Sequence, residues 1–174
     1  MFMTTDSQQE LLTEVDSKNN VIGPIARGVA HSSKDKFYRT IYVIIKNHDG
    51  KILLQRRSAT KDLYPNCWDL SVGGHVEFGD NYIDTAVREL KEEVGIVVSQ
   101  KGLAFMGEVL VRLPTSNEFF YIYEYTLAPS DNIMLSKDEV ADSKWATIKQ
   151  IKESIKNEPN LWYPRPIQVL EKLY

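Results

Sequence analysis

The 174-residue chain is short of cysteine, of histidine and of any excess charge, and each shortage excludes something. One cysteine, Cys67, cannot close an internal disulfide, which fits a reducing compartment. The 21 basic residues against 24 acidic ones leave a formal charge of −3, so no cationic field exists for bulk binding to nucleic acid. No run approaches the ~18 apolar residues of a spanning helix. Residues 1–10 have neither the basic start nor the apolar stretch of a secretory signal. These absences predict a cytoplasmic protein with no nucleic-acid partner and no membrane partner. Internal repeats and linkers rich in Gly, Ser or Pro are also lacking.

What is present is ordinary globular composition, 43% hydrophobic and 26% charged, which excludes disordered and collagen-like classes. The length suits one domain, by the rough rule of ~150 residues each, and is enough to bury about 70% of the unfolded surface without staples. Polar residues 1–10 read as a flexible tail. Residues 11–174 read as a single domain, with 11–36 as an extension packed on it. Leu11 to Asp16 suits a short strand, Asn19-Asn20 a turn, and Ile25 to His31 a short helix.

Tyr38 to Lys46 is β-branched and aromatic. Asn47-His48-Asp49-Gly50 is turn chemistry and Lys51 to Arg56 the return strand of a hairpin. Arg57 to Asp69 is irregular. Ser71 to Val76 then leads through Gly79 into a helix over Asn81 to Val94, stopped by Gly95. Residues 103–112, 119–127 and 140–145 read as strands. Thr147 caps a helix from Ile148 to Lys156, and Pro164 and Pro166 break the chain before a last helix over Ile167 to Leu173. Strands interleaved with separated helices indicate an α+β fold with α/β/α layering.

The chemistry concentrates in Gly73 to Ile96, GGHVEFGDNYIDTAVRELKEEVGI. At about 100° per residue, Ile83, Ala86, Val87, Leu90 and Val94 share one helix face. Glu89, Glu92 and Glu93 gather opposite, with Arg88 at the edge of the arc. A Glu-rich outer face is most simply a solvated face. Yet like charges at helical spacing repel, and a hard divalent cation offsets that repulsion because carboxylate oxygens are its preferred ligands. A carboxylate left off the metal can take a proton from an attacking water. A glycine-containing loop before the helix lets backbone approach a ligand, and Arg88 can orient a glutamate.

This stretch resembles the Nudix box, G-x5-E-x7-R-E-U-x-E-E-x-G-U, where U is apolar. Gly74, Arg88, Glu89, Leu90, Glu92, Glu93, Gly95 and Ile96 match at the right spacings. One position departs: Asp80 stands where the family has Glu. The resemblance implies a Nudix-type α/β/α sandwich around a mixed central sheet. It also implies cleavage of a diphosphate linkage in a nucleoside or other organic diphosphate with Mg2+ or Mn2+. By the same carry-over, Glu92 and Glu93 are metal ligands, Glu89 a ligand or the water-activating base, Arg88 an orienter and Gly74 a carbonyl donor. Asp80 is either a weaker metal contact or the helix N-cap, a role Asp performs well.

Beyond the box, the chain is similar to the isopentenyl-diphosphate isomerase-like branch of the family. The matching pieces are Lys51 to Arg57, Pro65-Asn66-Cys67-Trp68, Ser71 to His75, Asn117-Glu118 and Asp138-Glu139-Val140 before Trp145. The isomerase cysteine, which directly precedes the Gly-His of the box, is replaced by Gly73, which has no side chain to move a proton. Cys67 is better read as a small buried residue. Of the isomerase's metal-binding histidines, one matches His75, but Tyr38-Arg39 occupies the place of another. Glu118 matches an isomerase glutamate and joins the implied metal ligands. His75 is a vestigial ligand, a phosphate contact or a plain loop residue, the last two being favoured. Arg56, Arg57 and Lys61 either grip a diphosphate or form an edge-strand surface charge. Glu139 is a candidate base outside the box. Trp68 and Trp145 suit core anchors, and Tyr121, Tyr123 and Tyr125, on one strand face, line either a pocket or a core. The expected partner is a small-molecule diphosphate, with a homodimer through exposed strand edges possible. Alternatives to hydrolysis are isopentenyl-diphosphate isomerisation and a non-catalytic binding domain.

Overall fold

The computed structural model describes residues 6–174. The sheet is organised around β3 (Phe37–Lys46), whose Ile41 to Ile45 are buried on both faces. Along one edge β3 runs parallel to β8 (Ser116–Thr126) over its whole length, from Phe37 opposite Asn117 to Lys46 opposite Thr126. A strand has two edges, so everything else shares the other one. There β3 takes β1 (Leu11–Val15) at Phe37 and Tyr38, β6 (Val72–His75) from Thr40 to Val43, and β4 (Ile52–Arg57) at Lys46, all antiparallel. The remaining strands, β2 (Val21–Ala26), β5 (Trp68–Leu70), β7 (Ala104–Leu113) and β9 (Val140–Ala146), extend this mixed sheet from β1, β4, β8 and β4 respectively.

Because side chains alternate along a strand, β3 feeds two cores. Ile41, Val43 and Ile45 pack with Tyr82, Ala86, Leu90 and Val94 of α2 (Tyr82–Val94). Tyr42 and Ile44 pack with Ile151 of α3 (Ile148–Asn157) and with Val169 and Leu170 of α4 (Pro164–Leu173). The result is the expected α/β/α layering. Tyr123, Tyr125 and the half-buried Tyr121 belong to the α2 core, with Tyr121 stacked on Tyr82 at 3.7 Å. Trp68 and Trp145 pack partly buried against the two cores.

Several expectations need correction. The hairpin over 38–56 is splayed: β3 and β4 share only the Lys46–Ile52 pair, because β6 inserts beside β3. The segment expected as a helix over Ile25 to His31 is helical only in α1 (Arg27–Ala30). Val21 to Ala26 is instead an edge strand, where Pro24 needs no outward hydrogen bond. Pro164 and Pro166 begin α4 rather than precede it. Proline is tolerated in a first turn, whose N–H groups have no intrahelical partner. Residues 6–10 are not a free tail. The Asp6 carboxylate is buried, pairs with Lys61 and Arg27, and accepts from the Asp62 backbone N–H. The part of the tail expectation covering residues 1–5 lies outside the described residues.

Candidate active site

Helix α2 is set by its ends. Asn81 caps it, its side chain accepting from the Asp84 N–H at 3.0 Å, and Gly95 closes it at φ 73°, with the Gly95 N–H on the Lys91 carbonyl and the Ile96 N–H on the Leu90 carbonyl. With Ala86, Leu90 and Val94 buried in the core, the helix turns Glu89, Glu92 and Glu93 onto the wall of a cleft of about 380 Å³. The three differ sharply in burial. Glu93 is 5% exposed, Glu89 has a side chain 13% exposed, and that of Glu92 is 56% exposed.

Arg88 Nη1 sits between two of them, 2.9 Å from Glu89 and 3.0 Å from Glu92, while its Nη2 lies 3.3 Å from Glu77. Glu93 accepts from Gln55 Nε2 at 3.0 Å. A Cβ built on Gly74 would fall 2.2 Å from the Glu89 carboxyl carbon, so a side chain there would displace the Glu89 carboxylate from its present position. Burial pushes the Glu89 carboxyl up to about 7. Arg88 opposes that rise, and Glu92, Glu139 and Glu10 add to it. Glu93 is held well above the usual carboxylate range by burial, then by Glu89 and Glu139. The helix thus presents more buried negative charge than the protein compensates. Among the described residues, no group of three or more His, Cys, Asp and Glu side chains is gathered closely enough to hold a metal.

The other expected residues divide. Lys61, Arg57, Glu139 and His75 line the same cleft. Lys61 Nζ bridges Glu139 at 2.5 Å and Asp6 at 2.7 Å. Arg57 donates to the Leu63 carbonyl and lies 3.7 Å from Asp69. Three others stand outside the cleft. Arg56 is exposed and bonds the Asn66 carbonyl, because alternation along β4 turns it away from Arg57. Asp80 is exposed and is not the cap, which is Asn81, one residue later. Glu118 is fully buried behind the site, where Arg165 pairs with it at 2.8 Å and Thr40 and Ser116 hydroxyls reach it, so its oxygens are already engaged. Cys67 also lies away from the cleft, its thiol pushed up by burial.

The sequence reading missed a second set of cleft residues: Arg27, His31, Asp62, Tyr163 and Arg165. His31 Nε2 lies 3.1 Å from His75 Nε2, and its Nδ1 lies 3.3 Å from Asp62. His75 is kept neutral, its pKa driven well below the ordinary value by burial first and then by His31, Arg27 and Arg165. Arg27 holds Asp6, Glu10 and Asp62 at 2.9 to 3.2 Å. No local motif marks these positions. They come from the extension, a loop and the C-terminal helix, and only the fold brings them together.

Position 73 settles a separate point. A Cβ built on Gly73 would fall 2.7 Å from the Tyr42 ring, which is fully buried, stacked on Phe120 at 4.7 Å and bonded through its hydroxyl to Asp69 at 2.6 Å. The thiol that isomerases carry there is missing, and its space is filled.

Comparison with known proteins agrees with this geometry. The model of the NUDIX domain matches residues 36–166. An uncharacterized Nudix hydrolase of Nostoc sp. is 33% identical over 160 residues, covering 82% of this chain and 95% of the relative. An isopentenyl-diphosphate Delta-isomerase of Photorhabdus laumondii is 27% identical over 164 residues, covering 92% of each. A crystal structure from Deinococcus radiodurans superposes with a TM-score of 0.80 at 23% identity, covering 95% of this chain and 99% of that one. With three quarters of its length matched to the family and its box helix turned onto a cleft, the chain belongs to the Nudix family.

Proposed function

We propose that the protein is a divalent-metal-dependent hydrolase of a diphosphate linkage in a nucleoside or other organic diphosphate. The observation that carries this is the convergence of Glu89, Glu92 and Glu93, from one helix, with the cationic Lys61 and Arg57 on the walls of one cleft. The chemistry of the donor set suits a hard cation once the side chains draw together: it consists of carboxylate oxygens, two of them buried with their negative charge disfavoured until a positive charge arrives. Glu92, Glu93 and Glu89 would hold Mg2+ or Mn2+, with the Gly74 carbonyl as a further donor. When bound, the cation supplies charge neutralisation to the pyrophosphoryl oxygens.

The chain's own residues do the rest. Arg88 orients Glu89 and Glu92. Arg57 and Lys61 take phosphoryl oxygen not held by metal. Glu139 presents a carboxylate at the cleft with Lys61 on one oxygen, which supports it, with Glu89, as an acceptor of the water proton. Isomerisation is disfavoured because Gly73 has neither a thiol nor room for one. The non-catalytic alternative, whose support is Asp80 in place of the box glutamate, predicts weak or no Mg2+ binding in a calorimetric titration.

The test is phosphate release from a panel of nucleoside diphosphates, nucleotide sugars, dinucleotides and prenyl diphosphates. Activity should vanish with chelator and return with Mg2+ or Mn2+. Glu92→Gln and Glu93→Gln should each lower kcat by about 10²-fold or more. Glu93→Gln should also stabilise the metal-free fold near neutrality, because an amide there need not take up a proton to be buried and it keeps an acceptor for Gln55. Full activity in both variants overturns the reading.

A further inference from the structure

We infer that Asp6 is a positioning residue of the cleft: it shares the Lys61 ammonium with Glu139 and so fixes where Lys61 stands. What Lys61 and Glu139 do from that position rests on the hydrolase reading.

Asp6 precedes residues 36–166, which match the family, yet it lines the same cleft as the box glutamates. Its carboxylate is buried and its two oxygens have different partners. Oδ1 lies 2.7 Å from Lys61 Nζ and 3.0 Å from Arg27 Nη2, and Oδ2 accepts from the Asp62 N–H at 2.9 Å. On its other side Lys61 Nζ donates to Glu139 Oε2 at 2.5 Å. An ammonium has three donors, and fixing two of them fixes the direction of the third. The Lys61 side chain is only 10% exposed. Burial alone would lower its pKa, but Glu139 and Asp6 outweigh that and keep it charged. A lysine stem has much rotamer freedom, and Asp6 removes that freedom before a ligand arrives. Without the Asp6 charge, the carboxylates left to attract Lys61 include Glu139 and Glu93, whose ionised form Lys61 already favours.

The loop that carries Lys61 does not depend on Asp6 for its closure. Arg57 N–H donates to the Cys67 carbonyl, Asn66 N–H to the Arg57 carbonyl, and Ser58 N–H to the Glu139 carbonyl. Arg27 also keeps Glu10 and Asp62 when Asp6 is changed. The contact of Asp6 with Lys61 is thus separable from the fold.

The test uses Asp6→Asn in the full chain, which keeps an oxygen for the Asp62 N–H and removes the charge from Lys61. Acylation by acetic anhydride, read lysine by lysine by mass spectrometry, measures how firmly each ammonium is held. Lys61 should react about fivefold faster in Asp6→Asn, while Lys46, paired with Glu124, keeps its wild-type rate. Gln8→Ala loosens the same segment from Asp62 without touching Lys61, and should leave Lys61 slow. In turnover, Asp6→Asn should lower kcat/KM about tenfold. The same change in a Lys61→Met background should matter less than about twofold, because its effect runs through Lys61. A rise in reactivity shared by Lys46, or equally large in Gln8→Ala, would make Asp6 a structural anchor and overturn the inference. Equal Lys61 reactivity in wild type and Asp6→Asn, or a full tenfold loss in the Lys61→Met background, would overturn it too. Failure of the hydrolase reading would look different: no turnover by wild type, with Lys61 still freed by Asp6→Asn.

Discussion

At the scale of single residues, the site depends on two adjacent glycines that are needed for different reasons. Gly74 leaves the space into which the Glu89 carboxylate folds, and Gly73 leaves the space taken by the Tyr42 ring. Both glycines were legible from their spacing to the acidic helix. What fills each space was not, since Tyr42 is 31 positions earlier on another strand. Restoring the isomerase residue should therefore fail. Gly73→Cys is expected to cost about 1–3 kcal/mol by overpacking against Tyr42 and to form no allylic product from isopentenyl diphosphate. Urea denaturation and product chromatography check the two halves, and appearance of the allylic isomer would show that only the thiol was missing. The burial gradient from Glu92 to Glu93 was likewise beyond a helical wheel, which gives direction around the axis but not the depth of the neighbouring wall.

At the scale of the element, helix α2 was the most legible part of the chain, because apolar spacing, a polar cap and a terminal glycine all agree. Of the two roles open to Asp80, the cap falls to Asn81, one residue later. Asp80 and Asn81 are both good cap types, and the choice between them depends on where the chain leaves its turn: Gly79 at φ 103° puts Asn81 in the extended cap conformation. Asn81→Ala should cost about 1 kcal/mol of stability. Asp80→Ala, at an exposed position outside the cleft, should change stability by less than about 0.5 kcal/mol and leave activity intact. Thermal melts and the phosphate-release assay separate the pair, and an inactive Asp80→Ala would return Asp80 to the site. Helix α4 shows the opposite case. Its two prolines read as a break, although both occupy a first turn that welcomes them.

At the scale of the whole molecule, the cleft is closed by parts distant in sequence. Asp62 bonds Arg27 and Gln8 and meets His31, tying the N-terminal segment and α1 to the loop after β4. Burial alone would raise its pKa, but His31, Arg27 and Gln8 outweigh that and hold it far below the ordinary carboxylate range. A carboxyl with a depressed folded pKa contributes stability that is fully present above its unfolded pKa. That stability is lost as pH falls through the folded value. Asp62→Asn should thus melt lower than wild type near neutrality, and the gap should narrow below about pH 4. A gap that stays constant on acidification would show that Asp62 is not the linking group.

The sequence by itself determined the family and the acidic helix with its glycine loop, because each rests on spacing within one continuous segment. Only the tertiary structure decided that Glu118 is sealed by Arg165 behind the site, that Arg56 faces away, and that Arg27, His31, Asp62 and Tyr163 share a cleft with the box glutamates. Those facts depend on which distant segments meet, and periodicity along one segment carries no record of its neighbours across the sheet.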